Sequence, residues 1–198
     1  MNIPNWIPLS LIAAFAVVFV GRSIWVWMRV KKSPFSFGRS DSLNDFMGII
    51  FRITFIGAVL FLIFRTIWPS IDQEVGEIRL LAQSWIEAVG LLIIVASLLW
   101  AAIAEFQMGA FWRIGIPTEP AEGLVSSGLF SVSRNPVFLG MLGMAIGLFL
   151  AIPTAVTFSA LAVFWLCFSV QIRLEEAYLQ RTLGAEYADF CSRVRRWL

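Results

Sequence analysis

The stretch PVFLGMLGMAIGLFLAIPTAVTFSALAVFWLCFSVQI, residues 136–172, carries no charged side chain and has one proline, Pro153, in its interior. A membrane-spanning helix needs about 20 apolar residues, so this stretch is too long for a single crossing. Proline removes a backbone hydrogen bond and destabilises a helix interior by about 3 kcal/mol. We therefore predict two neighbouring antiparallel helices, residues 136–152 and 154–172. One long kinked helix is the alternative.

The composition of the whole chain is that of a membrane protein. Of its 198 residues, 59% are hydrophobic and 14% are charged, whereas soluble domains carry about 25% charged residues. Three further apolar stretches, residues 7–28, 46–68 and 85–104, are long enough to cross a bilayer. No Lys or Arg precedes the first of them, so we expect an uncleaved helix rather than a signal peptide. The predicted fold is all-α and integral to the membrane, with about five transmembrane helices and a cytoplasmic C-terminal helical segment.

Basic residues are unevenly distributed among the predicted loops. The first loop carries Arg29, Lys31, Lys32 and Arg39, and the tail carries Arg173, Arg181, Arg193, Arg195 and Arg196. The second loop has Arg79 alone, set among acidic residues. Because basic loops stay in the cytoplasm, the N-terminus is expected outside and the C-terminus inside, in a bacterial inner membrane or its equivalent. The loop before residue 136 and the tail after residue 172 would then share one membrane face.

Several classes of site are excluded by composition. The chain has no His, which removes His-ligated metals and acid–base mechanisms that use His. Cys167 and Cys191 have neither metal-ligand nor disulfide spacing, so no metal is predicted. A net charge of +2, without a basic run, argues against nucleic acid as a partner.

Charged groups bracket the predicted hairpin on the cytoplasmic face. Arg134 lies just before a helix N-terminus, a combination that suits a carboxylate or phosphate, although a positive-inside anchor would look the same. Arg173 and Glu176 lie on nearly one helical face, with Glu175 turned by about 100°. These acidic residues are either an ordinary salt-bridged helix end or acceptors for an ammonium group or a ribose diol.

Small and aromatic residues add weaker signals. Gly140, Gly143 and Gly147 indicate either close helix packing or room for a ligand against the backbone. Tyr187 could stack on a base or dock at the membrane surface. Gln107, at the end of the third span, could be an interface residue or a pocket wall.

Four segments in this order resemble the integral-membrane S-adenosylmethionine-dependent methyltransferases, which include isoprenylcysteine carboxyl methyltransferases and phospholipid N-methyltransferases. The segments are QMGAFWRIG (107–115), LVSSGLF (124–130), SRNPVFLG (133–140) and IRLEEAYLQRTLGAEYADF (172–190). The chain departs from the family pattern at Asn135, where many members have His, and at Phe130 and Phe138, where many have Tyr.

The resemblance implies a division into residues 1–104, three N-terminal transmembrane helices, and residues 105–198, a methyltransferase core. It implies S-adenosylmethionine as cofactor and S-adenosylhomocysteine as product. The implied cofactor-binding residues are Gln107, Gly128, Phe130, Arg134, Asn135, Phe138, Gly140, Glu176 and Tyr187. The implied catalytic residues are Arg173, which would orient substrate or cofactor, and Glu175, a candidate proton acceptor.

The expected reaction is methyl transfer to a lipophilic acceptor delivered from the membrane, with membrane lipids or such a substrate as partners. A carboxylate acceptor is favoured because it is already ionised and the chain has no His to serve as base; an amine or a thiol stays possible. The alternative function is a non-catalytic membrane scaffold or a lipid-binding assembly factor.

Overall fold

The computed structural model describes residues 4–31, 42–117, 119–121 and 123–198. The helices are α1 (Trp6–Val30), α2 (Leu43–Ile67), α3 (Ile71–Glu74), α4 (Ser84–Met108), α5 (Pro136–Ala151), α6 (Ala155–Leu183) and α7 (Ala185–Arg193), with 3-10 turns at Gly109–Phe111 and Gly128–Ser131. These ranges contain no β-strand, and the all-α prediction is confirmed. Lys32 and Arg39, which were counted for the predicted first loop, lie outside the described residues.

Four helices, α1, α2, α4 and α6, are long and apolar enough to cross a membrane. Large apolar side chains point outward from them; Val17, Ile53 and Leu92 are 72%, 66% and 69% exposed, as lipid-facing residues are. Helix α5 has 16 residues, which gives it a length of about 24 Å, less than the hydrocarbon thickness of about 30 Å. The chain is a multi-pass membrane protein with four long helices and one shorter apolar helix.

The predicted break at Pro153 is confirmed, because α5 ends at Ala151 and α6 begins at Ala155. Thr154 caps α6 reciprocally with Thr157: each hydroxyl accepts a hydrogen bond from the other residue's backbone N–H, at 3.2 and 3.3 Å. The loop after α3 covers this turn, since Ile78 N–H donates to the carbonyl of Pro153 at 2.7 Å. The single kinked helix is therefore the wrong alternative.

Glycines bring α5 into close contact with α4, which is its main neighbour in the bundle. A Cβ atom added to Gly147 would lie 2.7 Å from the carbonyl oxygen of Gly90. One added to Gly140 would lie 2.8 Å from the Cβ of Ala101 and 2.9 Å from the carbonyl oxygen of Ser97. In this structure α4 occupies the space beside Gly140, which favours close helix packing over room for a ligand at this position.

Helix α6 is longer than the span predicted from residues 154–172. Its 29 residues extend for about 44 Å, so the helix passes the end of its apolar part and carries Glu175 and Glu176 on a continuous backbone. It ends at Gly184, whose φ of 54° is in the left-handed region that glycine favours. Helix α7 then forms the predicted C-terminal helical segment.

Replacing Gly147 with Ala should lower the melting temperature in detergent micelles, followed by tryptophan fluorescence. The added methyl group would overlap backbone atoms of α4, and overpacking of this kind costs about 1–3 kcal/mol. Gly57→Ala is the control, because a Cβ atom at Gly57 meets nothing within 4 Å. Equal melting temperatures for the two variants would contradict the packing described for α4 and α5.

Candidate functional site

Three segments meet at the end of the bundle where α5 begins: the loop before α5, the last turns of α6, and a tail formed by residues 194–198. Glu176 is at their centre. Its Oε1 atom lies 3.5 Å from Nη2 of Arg134, and its Oε2 atom accepts a hydrogen bond from Nη2 of Arg196 at 2.6 Å. Nε of Arg196 also lies 3.0 and 3.1 Å from the two carboxylate oxygens. We call Arg134, Glu176 and Arg196 the charged cluster.

The charged cluster is largely shielded from solvent. The side chains of Glu176 and Arg134 are 12% and 15% exposed, and that of Arg196 is 37% exposed. The hydrogen bonds that Arg196 donates to Glu176 raise the pKa of Arg196. The sequence predicted that Arg134 and Glu176 come together, and the structure places them in contact.

Hydrogen bonds to two backbone carbonyls of the tail hold it against the loop before α5. Arg134 N–H donates to the carbonyl of Arg195 at 2.9 Å. The side-chain amide of Asn135 donates to the carbonyl of Arg196 at 3.1 Å, so this predicted cofactor residue secures the tail in this structure. The charged cluster thus has the tail as one of its walls.

Tyr187 and Cys191 of α7 border the charged cluster. Tyr187 is 3% exposed, and its pKa is raised by burial and by nearby Glu176, so its hydroxyl keeps its proton. The sulfur of Cys191 accepts a hydrogen bond from Nη1 of Arg134 at 2.6 Å. Nε of Arg134 is buried and has no hydrogen-bond partner among the described residues, which leaves one donor for an anionic group.

An apolar cavity of about 110 Å³ lies beside this cluster, on another side of α6. It is lined by Phe19, Met47, Gly48, Phe51, Met108, Trp112, Arg113, Ile114, Gly115, Val137, Phe138, Met141, Cys167, Phe168, Gln171 and Glu175. A second cavity, of about 50 Å³, shares the side chains of Phe51, Met141 and Phe168 with the first. Together they reach from the polar end of the bundle toward its apolar interior.

The polar groups in the lining of the larger cavity are Arg113, Gln171 and Glu175. Gln171 donates to Oε1 of Glu175 at 3.4 Å and to Oδ1 of Asn44, on α2, at 3.0 Å. Glu175 is therefore held at the cavity wall. Adjacent residues of α6 serve different sides of the site, since Glu176 enters the charged cluster and Glu175 lines the cavity.

The other predicted cofactor residues have different neighbours. Oε1 of Gln107 accepts a hydrogen bond from Leu129 N–H at 2.8 Å, and a side chain at Gly128 (φ 63°) would overlap Gln107. These two residues shape the turn before α5. Phe130 is buried in a core cluster that includes Trp112. Phe138 lines the cavity.

Arg173 belongs neither to the charged cluster nor to the lining of the larger cavity. It is exposed, and its Nη1 atom donates to the carbonyl of Ser169, on the same helix, at 2.6 Å. Arg173 was expected to orient substrate or cofactor and lies three positions from Glu176, but in this structure its side chain turns back along α6 and contacts neither the charged cluster nor the cavity.

Sequence reasoning missed Arg196 and Arg113. Arg196 counted only as one of the tail's basic residues, and no motif singles it out within VRRWL (194–198). Arg113 follows an aromatic pair in the loop after α4, and its place in the cavity wall depends on contacts with α6. The positions of charged residues along the sequence therefore did not predict that Arg196 joins the charged cluster or that Arg113 lines the cavity.

Comparisons with known proteins match part of the chain to one family. Residues 88–181 match the isoprenylcysteine carboxyl methyltransferase family, a stretch that overlaps the resemblance over 107–198 and confirms it.

Three relatives are named protein-S-isoprenylcysteine O-methyltransferase, one of them with the suffix B. The Rattus norvegicus protein is 28% identical over 64% of this chain and 43% of its own length. The Arabidopsis thaliana B protein is 28% identical over 56% of this chain and 57% of its own length. The Saccharomyces cerevisiae protein is 40% identical over 36% of this chain and 30% of its own length. The chain thus spans about half the length, or less, of the curated relatives it matches.

Replacing Arg196 with Gln should loosen the tail, because the charge-assisted bonds to Glu176 would be lost. Hydrogen exchange of the Arg134 amide, which donates to the tail carbonyl of Arg195, should become about tenfold faster. Arg193→Gln is the matched control, since the ion pair of Arg193 with Asp189 is exposed and such pairs contribute little. Identical exchange in both variants would show that Arg196 does not hold the tail.

Proposed function

We propose that this chain is an S-adenosylmethionine-dependent methyltransferase that methylates the carboxylate of a lipophilic, isoprenylcysteine-like acceptor. The observation that carries the proposal is the placement of two adjacent glutamates. Glu176 enters the charged cluster, and Glu175 lines the apolar cavity. A polar cofactor and an apolar acceptor would then meet across one helix. The family match and the names of the relatives support the same reaction.

The charged cluster fits the amino-acid end of the cofactor. The buried Nε of Arg134 has no partner among the described residues and would donate to the cofactor carboxylate. Glu176 would accept hydrogen bonds from the cofactor ammonium group, with Arg196 holding the Glu176 carboxylate in place. Such charge-assisted bonds are worth about 1.5–3 kcal/mol each.

The apolar lining of the cavity suits the lipid part of the acceptor. Aromatic and aliphatic side chains from α1, α2, α4, α5, α6 and the segment after α4 form most of its wall, and the second cavity extends the apolar path. Burial of hydrocarbon stabilises by about 25 cal/mol per Å². Because Phe19, Met47 and Phe51 belong to the wall, residues 1–104 contribute to the acceptor site of the proposed core, residues 105–198.

The cofactor supplies an electrophilic sulfonium methyl group. The residues of the chain supply binding, orientation and exclusion of water, which account for most of the work in such a transfer. An ionised carboxylate needs no proton acceptor, which suits a chain without His. Were the acceptor an amine, Glu175 at the cavity wall would be the group positioned to take the proton.

The proposed orientation has the charged cluster facing the cytoplasm and the N-terminus outside. The basic tail supports it through the positive-inside rule. The cluster would then meet soluble cofactor on one side while the cavity receives its acceptor from the bilayer.

The reaction is tested with purified protein in detergent, methyl-labelled S-adenosylmethionine and N-acetyl-S-farnesyl-L-cysteine. A methyl ester should form and should release labelled methanol in base. Label that resists base would indicate transfer to nitrogen or sulfur. Absence of any transfer to this acid or to lipid extracts, together with no saturable S-adenosylhomocysteine binding, would favour a non-catalytic scaffold.

Replacing Glu176 with Gln should weaken S-adenosylhomocysteine binding at least tenfold by calorimetry, because a neutral amide loses about 1.4 kcal/mol or more with the ammonium group. Glu186→Gln, at an exposed position in the first turn of α7, is the control and should bind as the unaltered protein does. Unchanged affinity in a folded Glu176→Gln protein would remove Glu176 from the cofactor site.

A further inference from the structure

Arg113 is the one cationic side chain among the described residues that line the larger cavity. Within the described part of the chain, its guanidinium makes no hydrogen bond and no ion pair shorter than 4.0 Å. Its Cζ atom lies 5.2 Å from the centre of the Tyr178 ring. A guanidinium held over an aromatic face by a cation–π contact can still donate through its N–H groups, so Arg113 has donors available beside the cavity.

The neighbours of Arg113 are themselves fixed. The hydroxyl of Tyr178 donates to the carbonyl of Glu119 at 2.6 Å, which orients the ring under Arg113. Across the polar end of the cavity, Glu175 is anchored through Gln171. Arg113 and Glu175 are thus both held in place at the polar end of the apolar cavity, and side chains that are already held in place lose little entropy when they bind a ligand.

We propose that Arg113 binds the carboxylate of the acceptor and thereby selects acids over neutral analogues. This inference rests on the proposed function and names the residue that gives it carboxylate specificity. The planar fork of an arginine binds a carboxylate through two parallel hydrogen bonds. A carboxylate at the cavity end would also lie near Glu175, and the positive charge of Arg113 offsets that repulsion.

The other arginines near the site are committed elsewhere. Arg134 and Arg196 contact Glu176 in the charged cluster. Arg173 donates to its own helix and faces outward. Arg113 therefore carries the task that Arg173 was expected to perform.

The test compares two probes, N-acetyl-S-farnesyl-L-cysteine and its carboxamide, by calorimetric binding in detergent, with S-adenosylhomocysteine titrated separately. The unaltered protein should bind the acid at least tenfold more tightly than the amide. Arg113→Gln should lose this preference, with amide affinity changed less than threefold. Arg113→Lys should keep part of it, because the charge remains while the fork is lost.

Arg181→Gln is the matched control, since Arg181 is exposed and donates to a carbonyl of its own helix; it should retain the full preference. Unchanged S-adenosylhomocysteine affinity in the Arg113 variants shows that they are folded. If an Arg113→Gln or Arg113→Lys protein prefers the acid as strongly as the unaltered protein does, the role of Arg113 is overturned while the proposed function stands. If the unaltered protein binds neither the acid nor S-adenosylhomocysteine, the proposed function fails, and the role of Arg113 fails with it.

Discussion

Glu176 holds together three parts of the chain that are distant in sequence. Its carboxylate lies between Arg134, from the loop before α5, and Arg196, from the tail. Removing one member of a largely buried ion pair leaves an uncompensated charge, which costs more than the pair itself contributes. The shape of the polar end of the bundle therefore depends on all three charges being present. The hydrogen bonds from the Arg134 backbone N–H and the Asn135 side-chain amide to the tail extend the same constraint.

The rotation of a helix by about 100° per residue gives this constraint its functional consequence. With Glu176 held in the charged cluster, Glu175 is turned to another side of α6 and lines the apolar cavity. A charged cluster and an apolar cavity are thus placed next to each other along one helix. For the proposed methyl transfer, this placement is the main contribution of the fold, because positioning accounts for most of the catalysis.

Much of the architecture follows from local signals. Pro153 and the capping residue Thr154 divide one apolar stretch into two helices, and hydropathy identifies the four long helices. The distribution of basic residues among the loops was enough to predict that Arg134 and Glu176 lie on the same side of the membrane. Gly140 could not be assigned from sequence, because packing against α4 and contact with a ligand both favour a missing side chain. Arg113 and Arg196 were missed because their positions come from long-range contacts with α6, for which a single sequence carries no periodic signal.

The most direct measurement is an experimental structure of the full chain with S-adenosylhomocysteine bound. The account predicts that the amino-acid end of the ligand lies within about 3.5 Å of the Arg134 guanidinium and the Glu176 carboxylate, with its sulfur toward the cavity that contains Glu175. A ligand bound away from Arg134 and Glu176, or separated from that cavity by packed side chains, would contradict the account.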